Sequence, residues 1–365
     1  MQNGSTELRA KFAVRRFTSI GLTRRRREAT TWGVVFAFVL FLQTQPHSAM
    51  PDFHATPLPE GIDAPPKAAQ VLAFTEGPAV DADGTLYYSD IMNNRILRRT
   101  VDGALTEFRK PSGRTNGNTF DREGRLLHCE GAEFGPDGAR RVTRTDLKTG
   151  RYEVLTERYD GKRYNAPNDI CVDGQGRIYF TDPCYWDRTT MEMTDESVYR
   201  IDMDGRVTRI ITQPAIQRPN GIAVTQDSKH LYVIDSCPVV GGNRKVWSFD
   251  LDDRGTPANQ RLVFDFAPGR GGDGMRLDVD GNLWVAAGIM TPRGVHETNL
   301  VPPGIYHISP QGKLLGRIPI AEDVLTNLAF GGPDGRTLYV TAGKTLFTLR
   351  MPVAGQVAFP QWSAS

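Results

Sequence analysis

Six oxygen-bearing side chains occupy the same position of an internal repeat, and their types suit the binding of a hard metal ion. They are Glu76, Asn116, Asn168, Asn220, Asp273 and Thr326. Carboxylate and amide oxygens are the ligands that Ca²⁺, Mg²⁺ and Mn²⁺ prefer. The two carboxylates would balance the charge of a divalent ion, and the amides would add coordination without further repulsion. The pattern predicts a divalent cation site for which Ca²⁺ is the best match, with Mg²⁺, Mn²⁺ or Zn²⁺ as alternatives.

A structural role is the alternative for any one of these residues. Asn220 and Asp273 each precede a glycine, and such pairs are common in tight turns that bind no ligand. The recurrence of an oxygen at one repeat position, with Glu and Asp among the six, favours the metal site for the whole set. Three Asp-rich segments lack the spacing of a calcium loop and are expected to form hairpin tips: 81–84, 202–205 and 278–281.

The repeat itself predicts the fold. Each copy contains a short strand, a polar turn and a second strand rich in Tyr, Val and Ile, as in a β-hairpin. The copies span 76–90, 116–130, 168–182, 220–235, 273–287 and 326–342, and they begin 40, 52, 52, 53 and 53 residues apart. Further strands between them, such as 198–202, 245–250 and 304–309, bring each repeat to about four strands. Six such repeats predict an all-β fold, a six-bladed β-propeller.

The two ends of this propeller are expected to share one sheet. Residues 70–75 precede the first hairpin and need a partner, and residues 345–350 lie where the last blade ends. Pairing them would close the ring and remove exposed strand edges. We therefore place the propeller at 56–355 and a C-terminal tail at 356–365. The first strands of the blades should line a central channel, so the six repeat positions should point at one axis.

Other polar residues near this channel receive different roles. His296 lies in the segment 291–303, which follows the fifth hairpin and could overhang the channel mouth. We expect it to contact substrate or shuttle a proton, an ordinary surface histidine being the alternative. Four acidic residues that end the second strands are expected to form turn and inter-blade hydrogen bonds: Asp90, Glu130, Asp182 and Asp235.

The first 55 residues have the features of an export segment. Four arginines at 24–27 precede an apolar stretch at 32–42 and small residues at 47–49, the order of a bacterial secretory signal. Eleven residues are too few to span a bilayer comfortably. We expect export to the bacterial periplasm or the extracellular space, with no stable membrane insertion after processing. An uncleaved anchor and a non-functional tail are the alternatives.

The composition excludes several classes of protein. Of the 365 residues, 24% are charged and 39% are apolar, as in soluble globular proteins rather than in disordered or polytopic membrane proteins. Residues 1–31 contain eight Lys/Arg and two Glu, which leaves 36 basic and 40 acidic residues elsewhere. This mildly acidic body offers no basic patch for nucleic acid. The four cysteines show no CxxC spacing and are expected to be free, mostly buried thiols.

At the repeat positions the sequence resembles the senescence marker protein/gluconolactonase/luciferin-regenerating enzyme family, whose members are calcium-dependent, lactonase-like propellers. The matching motifs, spread over 70–350, are FTEGP at 74–78, PND at 167–169, FTDP at 180–183, PNGI at 219–222, GDGM at 272–275 and FGGPD at 330–334. The resemblance implies a six-bladed propeller with a metal, usually calcium, at the channel centre. Its metal ligands would be Glu76, Asn168, Asn220 and Asp273.

The resemblance also separates ligands from substrate contacts. Asn116 and Thr326 are not expected to bind the metal, and we assign Asn116 to substrate binding together with Asn168, Asn220 and His296. The animal lactonases of the family have an arginine for the sugar substrate two residues before the third-copy asparagine. Here that position is Ala166, so their substrate specificity is not expected to transfer.

The reaction implied by the resemblance is the metal-dependent hydrolysis of a sugar lactone. The metal would polarise the ester carbonyl, and Asp273 is our candidate for the general base on the attacking water, with direct nucleophilic attack as the rival. One alternative is hydrolysis of organophosphates or aryl esters at the same site. Another is a non-catalytic propeller that binds a ligand and keeps calcium for rigidity. The expected partner is a small-molecule lactone, and the protein is expected to be a monomer or a weak oligomer.

Overall fold

The computed structural model describes residues 57, 59–61, 67–71, 74–134 and 137–356. The expected export segment at 1–55 and the expected tail at 356–365, except Gln356, therefore lie outside the described residues. Within the described residues, no helix is both long enough and apolar enough to cross a bilayer.

The described residues contain six four-stranded antiparallel sheets and one two-stranded hairpin, which confirms the predicted all-β propeller. The chain starts with β1 (Lys67–Val71), which belongs to the last blade. Blade 1 contains β2 (Thr75–Val80), β3 (Leu86–Asp90), β4 (Arg95–Arg99) and β5 (Leu105–Arg109). Blade 2 contains β6 (Thr115–Phe120), β7 (Leu126–Glu130), β8 (Arg141–Thr145) and β9 (Tyr152–Thr156). A small hairpin of β10 (Arg158–Tyr159) and β11 (Lys162–Arg163) follows.

The remaining blades repeat this order. Blade 3 contains β12 (Ile170–Val172), β13 (Ile178–Asp182), β14 (Ser197–Ile201) and β15 (Val207–Ile211). Blade 4 contains β16 (Pro219–Val224), β17 (His230–Ser236), β18 (Arg244–Leu251) and β19 (Pro257–Asp265). Blade 5 contains β20 (Gly272–Leu277), β21 (Leu283–Ala287), β22 (Gly304–Ile308) and β23 (Leu314–Pro319). Blade 6 contains β24 (Leu325–Gly331), β25 (Thr337–Ala342) and β26 (Thr345–Arg350). One 3₁₀ turn at Arg188–Thr190 is the sole helical element among the described residues.

The inner strands close into a ring. Strands β2, β6, β12, β16, β20 and β24 contact one another in that order, and β24 contacts β2 again. Strand β1 pairs antiparallel with β26, so the predicted closure of the ring is confirmed. The predicted closing strand, 70–75, extends too far at its C-terminal end. Thr75 already begins the first blade, because its N–H donates to the carbonyl of Gly343 (2.7 Å) and fixes the start of β2 against blade 6.

Apolar contacts between adjacent blades stabilise the ring. Trp284, Leu328 and Val340 are fully buried between blades 5 and 6, and similar clusters join the other neighbours. Each second strand is covered on both faces, which explains why these strands have long apolar runs instead of alternation. Each such Leu or Val contributes about 1.5–3 kcal/mol by its burial.

Glycines in the inner strands allow neighbouring blades to approach closely. A Cβ on Gly221 would lie 2.3 Å from the carbonyl oxygen of Asp273, on the next inner strand. Gly77 has a φ of 49°, which favours glycine. A Cβ at this position would also lie 2.2 Å from the carbonyl oxygen of Asn116. The Asn220-Gly221 and Asp273-Gly274 pairs therefore lie inside strands β16 and β20, and the alternative that they form turns is wrong.

The four acidic residues that end second strands form the predicted turn and inter-blade hydrogen bonds. Asp90 accepts from the N–H of Phe74, Asp235 accepts from the N–H of Arg218, and Glu130 accepts from the guanidinium of Arg109 in blade 1. Asp182 accepts hydrogen bonds from the N–H groups of Asn165 (2.9 Å) and Ala166 (2.8 Å), and so anchors the connection that leads into its own blade. Asp81 lies at a hairpin tip and accepts from the N–H groups of Asp83 and Thr85. All four cysteines are free, and three of them are buried.

Candidate metal and substrate site

The starts of the inner strands meet at one end of the channel, in a cavity of about 430 Å³. Glu76, Asn220 and Asp273 are each the second residue of an inner strand. All the residues predicted to bind metal or substrate line this cavity: Glu76, Asn116, Asn168, Asn220, Asp273 and His296. The structure thus brings together side chains that are far apart in the sequence.

Thr326, at the sixth repeat position, joins the last blade to the first and does not line the cavity. Its hydroxyl donates to the carbonyl of Thr75 (2.7 Å) and so ties the last blade to the first. It is not among the lining residues, in agreement with its expected exclusion from the ligand set.

Glu76 is a buried carboxylate with little compensation from the protein. The residue is 3% exposed, and its Oε2 accepts a hydrogen bond from the N–H of Gly77 at 2.7 Å. Burial raises the pKa of Glu76 well above its ordinary value, and the charges of Asp273 and Asp169 raise it further. Since a nearby cation favours the ionised form, a bound divalent ion would remove this penalty.

Asp273 differs from Glu76 because an arginine holds one of its oxygens. The Nη2 of Arg270 donates to Oδ2 of Asp273 at 2.5 Å. Burial raises the pKa of Asp273, while the charge and hydrogen bond of Arg270 oppose that rise. The second carboxylate oxygen has no such arginine contact among the described residues.

The asparagine side chains are oriented by neighbouring loops. Asn220 donates from Nδ2 to the hydroxyl of Tyr185 (3.1 Å), and that hydroxyl donates to the carbonyl of Ser236 (3.0 Å). Asn116 donates from Nδ2 to Oε2 of Glu133 (3.2 Å). The Oδ1 of Asn116 is buried and has no hydrogen-bond partner among the described residues. Because Asn116 lines the cavity, this oxygen could accept a hydrogen bond from a bound ligand.

This donor set fits a hard divalent cation. The carboxylates of Glu76 and Asp273 and the amides of Asn168 and Asn220 offer oxygen only, around a cavity with an excess of buried negative charge. In the part of the chain that the structure describes, no group of three or more His, Cys, Asp and Glu side chains could hold a metal. A cation in this cavity would therefore depend on the asparagine oxygens as well as on the two carboxylates.

An aromatic wall was not foreseen from the sequence. The ring of Phe134 lies 4.7 Å from that of Phe74 and 6.2 Å from that of Trp186, between ring centroids. All three residues line the cavity, and Trp186 is 53% exposed. Phe134 and Trp186 lie in loops that follow second strands, as His296 does. The place of these loops after a second strand is the sequence signal that could have identified Phe134 and Trp186.

Several charged residues of the cavity also escaped prediction. Glu133 lies in the loop between β7 and β8, and Arg270 lies three residues before Asp273. Arg293 pairs with Glu297, which is 6% exposed (Nη2 to Oε1, 2.9 Å). These residues carry no repeat signal, because they belong to connections whose length and sequence differ between blades.

His296 lies at the mouth of the cavity in a firmly attached loop. Its carbonyl accepts a hydrogen bond from Nη2 of Arg244 at 3.0 Å. On the same loop, the N–H groups of Met290 (2.5 Å) and Thr291 (3.1 Å) donate to the carboxylate of Asp323. The half-buried imidazole therefore has a defined place beside the cavity.

Ala166 does not contribute to the cavity. It is 4% exposed, and its N–H is used in the hydrogen bond to Asp182. The arginines that line the cavity come from blades 4 and 5 instead: Arg244, Arg270 and Arg293. A ligand in the cavity would therefore meet these three arginines and not residue 166.

Comparisons with known proteins agree on one family. A family profile described as an SMP-30/gluconolactonase/LRE-like region matches residues 74–344. The gluconolactonase of Zymomonas mobilis is 31% identical over 312 residues, which cover 79% of this chain and 81% of that protein.

Solved structures agree with the sequence matches. A gluconolactonase from Xanthomonas campestris is similar with a TM-score of 0.65 and 29% identity, covering 81% of this chain and 97% of that one. A regucalcin from Agrobacterium tumefaciens, described as a calcium-binding protein, has the same fold (TM-score 0.64, 20% identity, 80% of this chain and 96% of that one). Since the family profile spans most of the propeller, this chain belongs to the SMP-30/gluconolactonase/LRE-like family.

Proposed function

We propose that this protein is a metal-dependent lactonase that opens a sugar lactone. The observation that carries the proposal is the convergence of Glu76, Asn168, Asn220 and Asp273 on one cavity. The family includes a gluconolactonase that matches this chain over most of its length. Lactone hydrolysis needs an electrophilic aid at the carbonyl and a base for water, and this donor set could provide both.

Glu76, Asn168, Asn220 and Asp273 would hold the metal. When bound, a divalent ion supplies Lewis acidity that polarises the lactone carbonyl and stabilises negative charge on its oxygen. Ca²⁺ is our first choice because all four donors are oxygens and because a regucalcin of this fold is described as calcium-binding. Mg²⁺, Mn²⁺ and Zn²⁺ are tested beside it.

Asp273 is the proposed general base. Arg270 holds its Oδ2, Asn220 also hydrogen-bonds to this carboxylate, and the carboxylate would accept a proton from the attacking water. Asn116 and Asn220 would orient substrate hydroxyl groups through their amides, and His296 would contact the substrate at the mouth. The aromatic wall of Phe74, Phe134 and Trp186 gives the apolar face of a sugar ring a surface to pack on.

The same aromatic wall supports one competing substrate class. An aryl ester or an organophosphate with an aryl group would place its ring against Trp186, which is half exposed. A non-catalytic propeller that keeps calcium for rigidity is the remaining alternative. The three proposals differ in what the protein turns over and in whether Asp273 matters for turnover.

A substrate panel with and without chelator tests the proposal. We expect the wild type to hydrolyse glucono-1,5-lactone faster than an aryl ester or an aryl organophosphate, and to lose activity in EDTA until a divalent ion is restored. Asp273→Asn should lower kcat by about 100-fold or more, because the base is lost. Asp83→Asn is the matched control, since that carboxylate is exposed on a hairpin tip at the far end of blade 1. An Asp273→Asn variant with wild-type turnover would overturn the assignment.

We also propose that the chain is exported. The order of basic, apolar and small residues in the first 55 positions supports it. N-terminal sequencing of protein recovered from the periplasm or the medium tests it, and recovery of full-length protein from the cytoplasm alone would contradict it.

A further inference from the structure

Glu133 is a cavity carboxylate that the assigned roles leave unused. It lies in the loop between β7 and β8, and its Oε2 accepts a hydrogen bond from Nδ2 of Asn116 at 3.2 Å. Within the described residues it forms no ion pair. Asp273, which lines the same cavity, is held by Arg270. The two carboxylates thus line one cavity, but among the described residues only Asp273 forms an ion pair with an arginine.

The loop that carries Glu133 is fixed in an unusual conformation. Phe134, the next residue, has a φ of 63°, which residues other than glycine rarely adopt. Its ring is held between Phe74 and Trp186. Strained positions of this kind persist where surrounding contacts over-determine them, and they cluster at active sites. The contacts of Phe134 therefore give Glu133 a defined position at the cavity wall.

We propose that Glu133 is a second catalytic residue, the general acid that protonates the ring oxygen of the lactone as that oxygen leaves. The proposal rests on the proposed lactonase function. Hydrolysis of an alkyl lactone needs a base for water and an acid for the leaving alkoxide, and a pair of carboxyl groups in unlike environments can divide these tasks. Asp273 takes the first task because Arg270 favours its charged form, and Glu133 takes the second.

The step balances without any further reactant. Water adds to the carbonyl carbon and gives one proton to Asp273. The bond between the carbonyl carbon and the ring oxygen breaks, its electron pair stays on the oxygen, and that oxygen takes the proton of Glu133. The product is the open hydroxy acid. Solvent then carries the proton from Asp273 back to Glu133.

In the metal-free protein, the electrostatics of the cavity favour a protonated Glu133 near neutral pH. Burial raises the pKa of Glu133 to about 7, with a further contribution from the charge of Asp273, while the hydrogen bond from Asn116 lowers it. The other titratable or charged groups that line the cavity are Glu76, Tyr185, Arg244, Arg270, Arg293, His296 and Glu297. A group with this pKa is half protonated at the pH where it must donate.

Substitution of Glu133 combined with a change of leaving group tests the role. Glu133→Gln should lower kcat for glucono-1,5-lactone by about 100-fold, with KM and the Ca²⁺ dissociation constant changed by less than about threefold. Dihydrocoumarin leaves as a phenol, whose pKa of about 10 makes protonation dispensable. Its hydrolysis should fall by less than about fivefold in the same variant.

The pH profile is a second readout that needs no aryl substrate. Activity that requires a protonated Glu133 declines as the pH rises through the pKa of that carboxyl group, and Glu133→Gln should lack this decline in its residual activity. Glu123→Gln is the matched control, because Glu123 is exposed on the hairpin tip of the same blade. Equal loss on both substrates, unchanged kcat for glucono-1,5-lactone, or weaker Ca²⁺ binding would each overturn the assignment. A wild type that opens no lactone would instead overturn the proposed function on which it rests.

Discussion

Arg270 joins Asp273 to the neighbouring blade. Its Nη2 donates to Oδ2 of Asp273 at 2.5 Å, and its Nη1 donates to the carbonyl of Leu325 at 3.0 Å. Both side chains are largely buried, with 9% and 13% exposure. One guanidinium thus orients the proposed base and fixes blade 5 against the first residue of β24.

Replacement of Arg270 by methionine should separate orientation from metal binding. Loss of one partner of a buried ion pair should lower the free energy of unfolding by about 3 kcal/mol, as measured by chemical denaturation. It should also lower kcat, because Asp273 loses its fixed position. The affinity for Ca²⁺, measured by calorimetry, should not fall, since a positive charge near the ion has been removed. Arg270→Lys keeps the charge and serves as the control, and a large loss of Ca²⁺ affinity in Arg270→Met would contradict this account.

Gly221→Ala should disturb the cation site through the backbone. The added methyl group would meet the carbonyl of Asp273 at 2.3 Å and push two inner strands apart. We expect a loss of about 2 kcal/mol or more in stability, together with weaker Ca²⁺ binding. Ala223→Gly, in the same strand, is the control and should cost about 1 kcal/mol with Ca²⁺ binding unchanged. Wild-type Ca²⁺ affinity in Gly221→Ala would show that the close approach of these strands does not position the ligands.

Arg244→Met should loosen the loop that carries His296. Arg244 donates to the carbonyls of His296 and Asn243, each at 3.0 Å, and is 4% exposed. Without these bonds, KM for the lactone should rise by about tenfold while kcat changes less, because substrate positioning is lost and the chemistry is not. Limited proteolysis should cut within 291–303 faster than in the wild type. An unchanged KM and an unchanged cleavage rate would show that the loop is held by other contacts.

The stability of the metal-free protein should depend on pH through Glu133. Its pKa is about 7 in the folded protein against an ordinary 4.5, so the folded state binds its proton more tightly than the unfolded chain does. The free energy of unfolding should therefore fall as the pH rises from about 5 to about 7, and this contribution should level off above that range. Burial also raises the pKa of Asp182 to about 7, so the titration of Asp182 likewise lowers the free energy of unfolding as the pH rises. Burial lowers the pKa of His128, so the titration of His128 raises the free energy of unfolding as the pH rises toward 6.5.

Comparison with Glu133→Gln isolates the contribution of Glu133. Thermal unfolding in EDTA at pH 5, 6, 7 and 8 should show a smaller fall in Tm with rising pH for the variant than for the wild type. Parallel curves for the two proteins would mean that Glu133 titrates normally in the fold.

The six blades could be predicted from the sequence because the strand and turn residues of each hairpin lie close together in the chain. The turn at Asp81 and the apolar run of β3 lie within one hairpin, and the same pattern recurs six times. The convergence of Glu76, Asn168, Asn220 and Asp273 then follows from the symmetry of the ring. The Asn-Gly and Asp-Gly pairs were ambiguous, because the close approach that requires Gly221 involves a strand some fifty residues away.

The site residues that could not be predicted from the sequence lie in the connections between strands. Glu133 and Trp186 have no equivalent in the repeat. They line the cavity because their loops lie at the same end of the ring as the starts of the inner strands. Arg270 has a visible spacing to Asp273, but the spacing does not reveal that its second nitrogen reaches Leu325. Such contacts depend on distances in the folded protein, which the repeat pattern of the sequence does not indicate.

The cation site is tested most directly by diffraction from crystals of the full chain grown with Mn²⁺, using the anomalous signal of the ion. We predict a single strong peak in the channel cavity, about 2.0–2.6 Å from side-chain oxygens of Glu76, Asn168, Asn220 and Asp273. A peak elsewhere on the protein, or an ordered cavity without any peak at saturating Mn²⁺, would contradict the account.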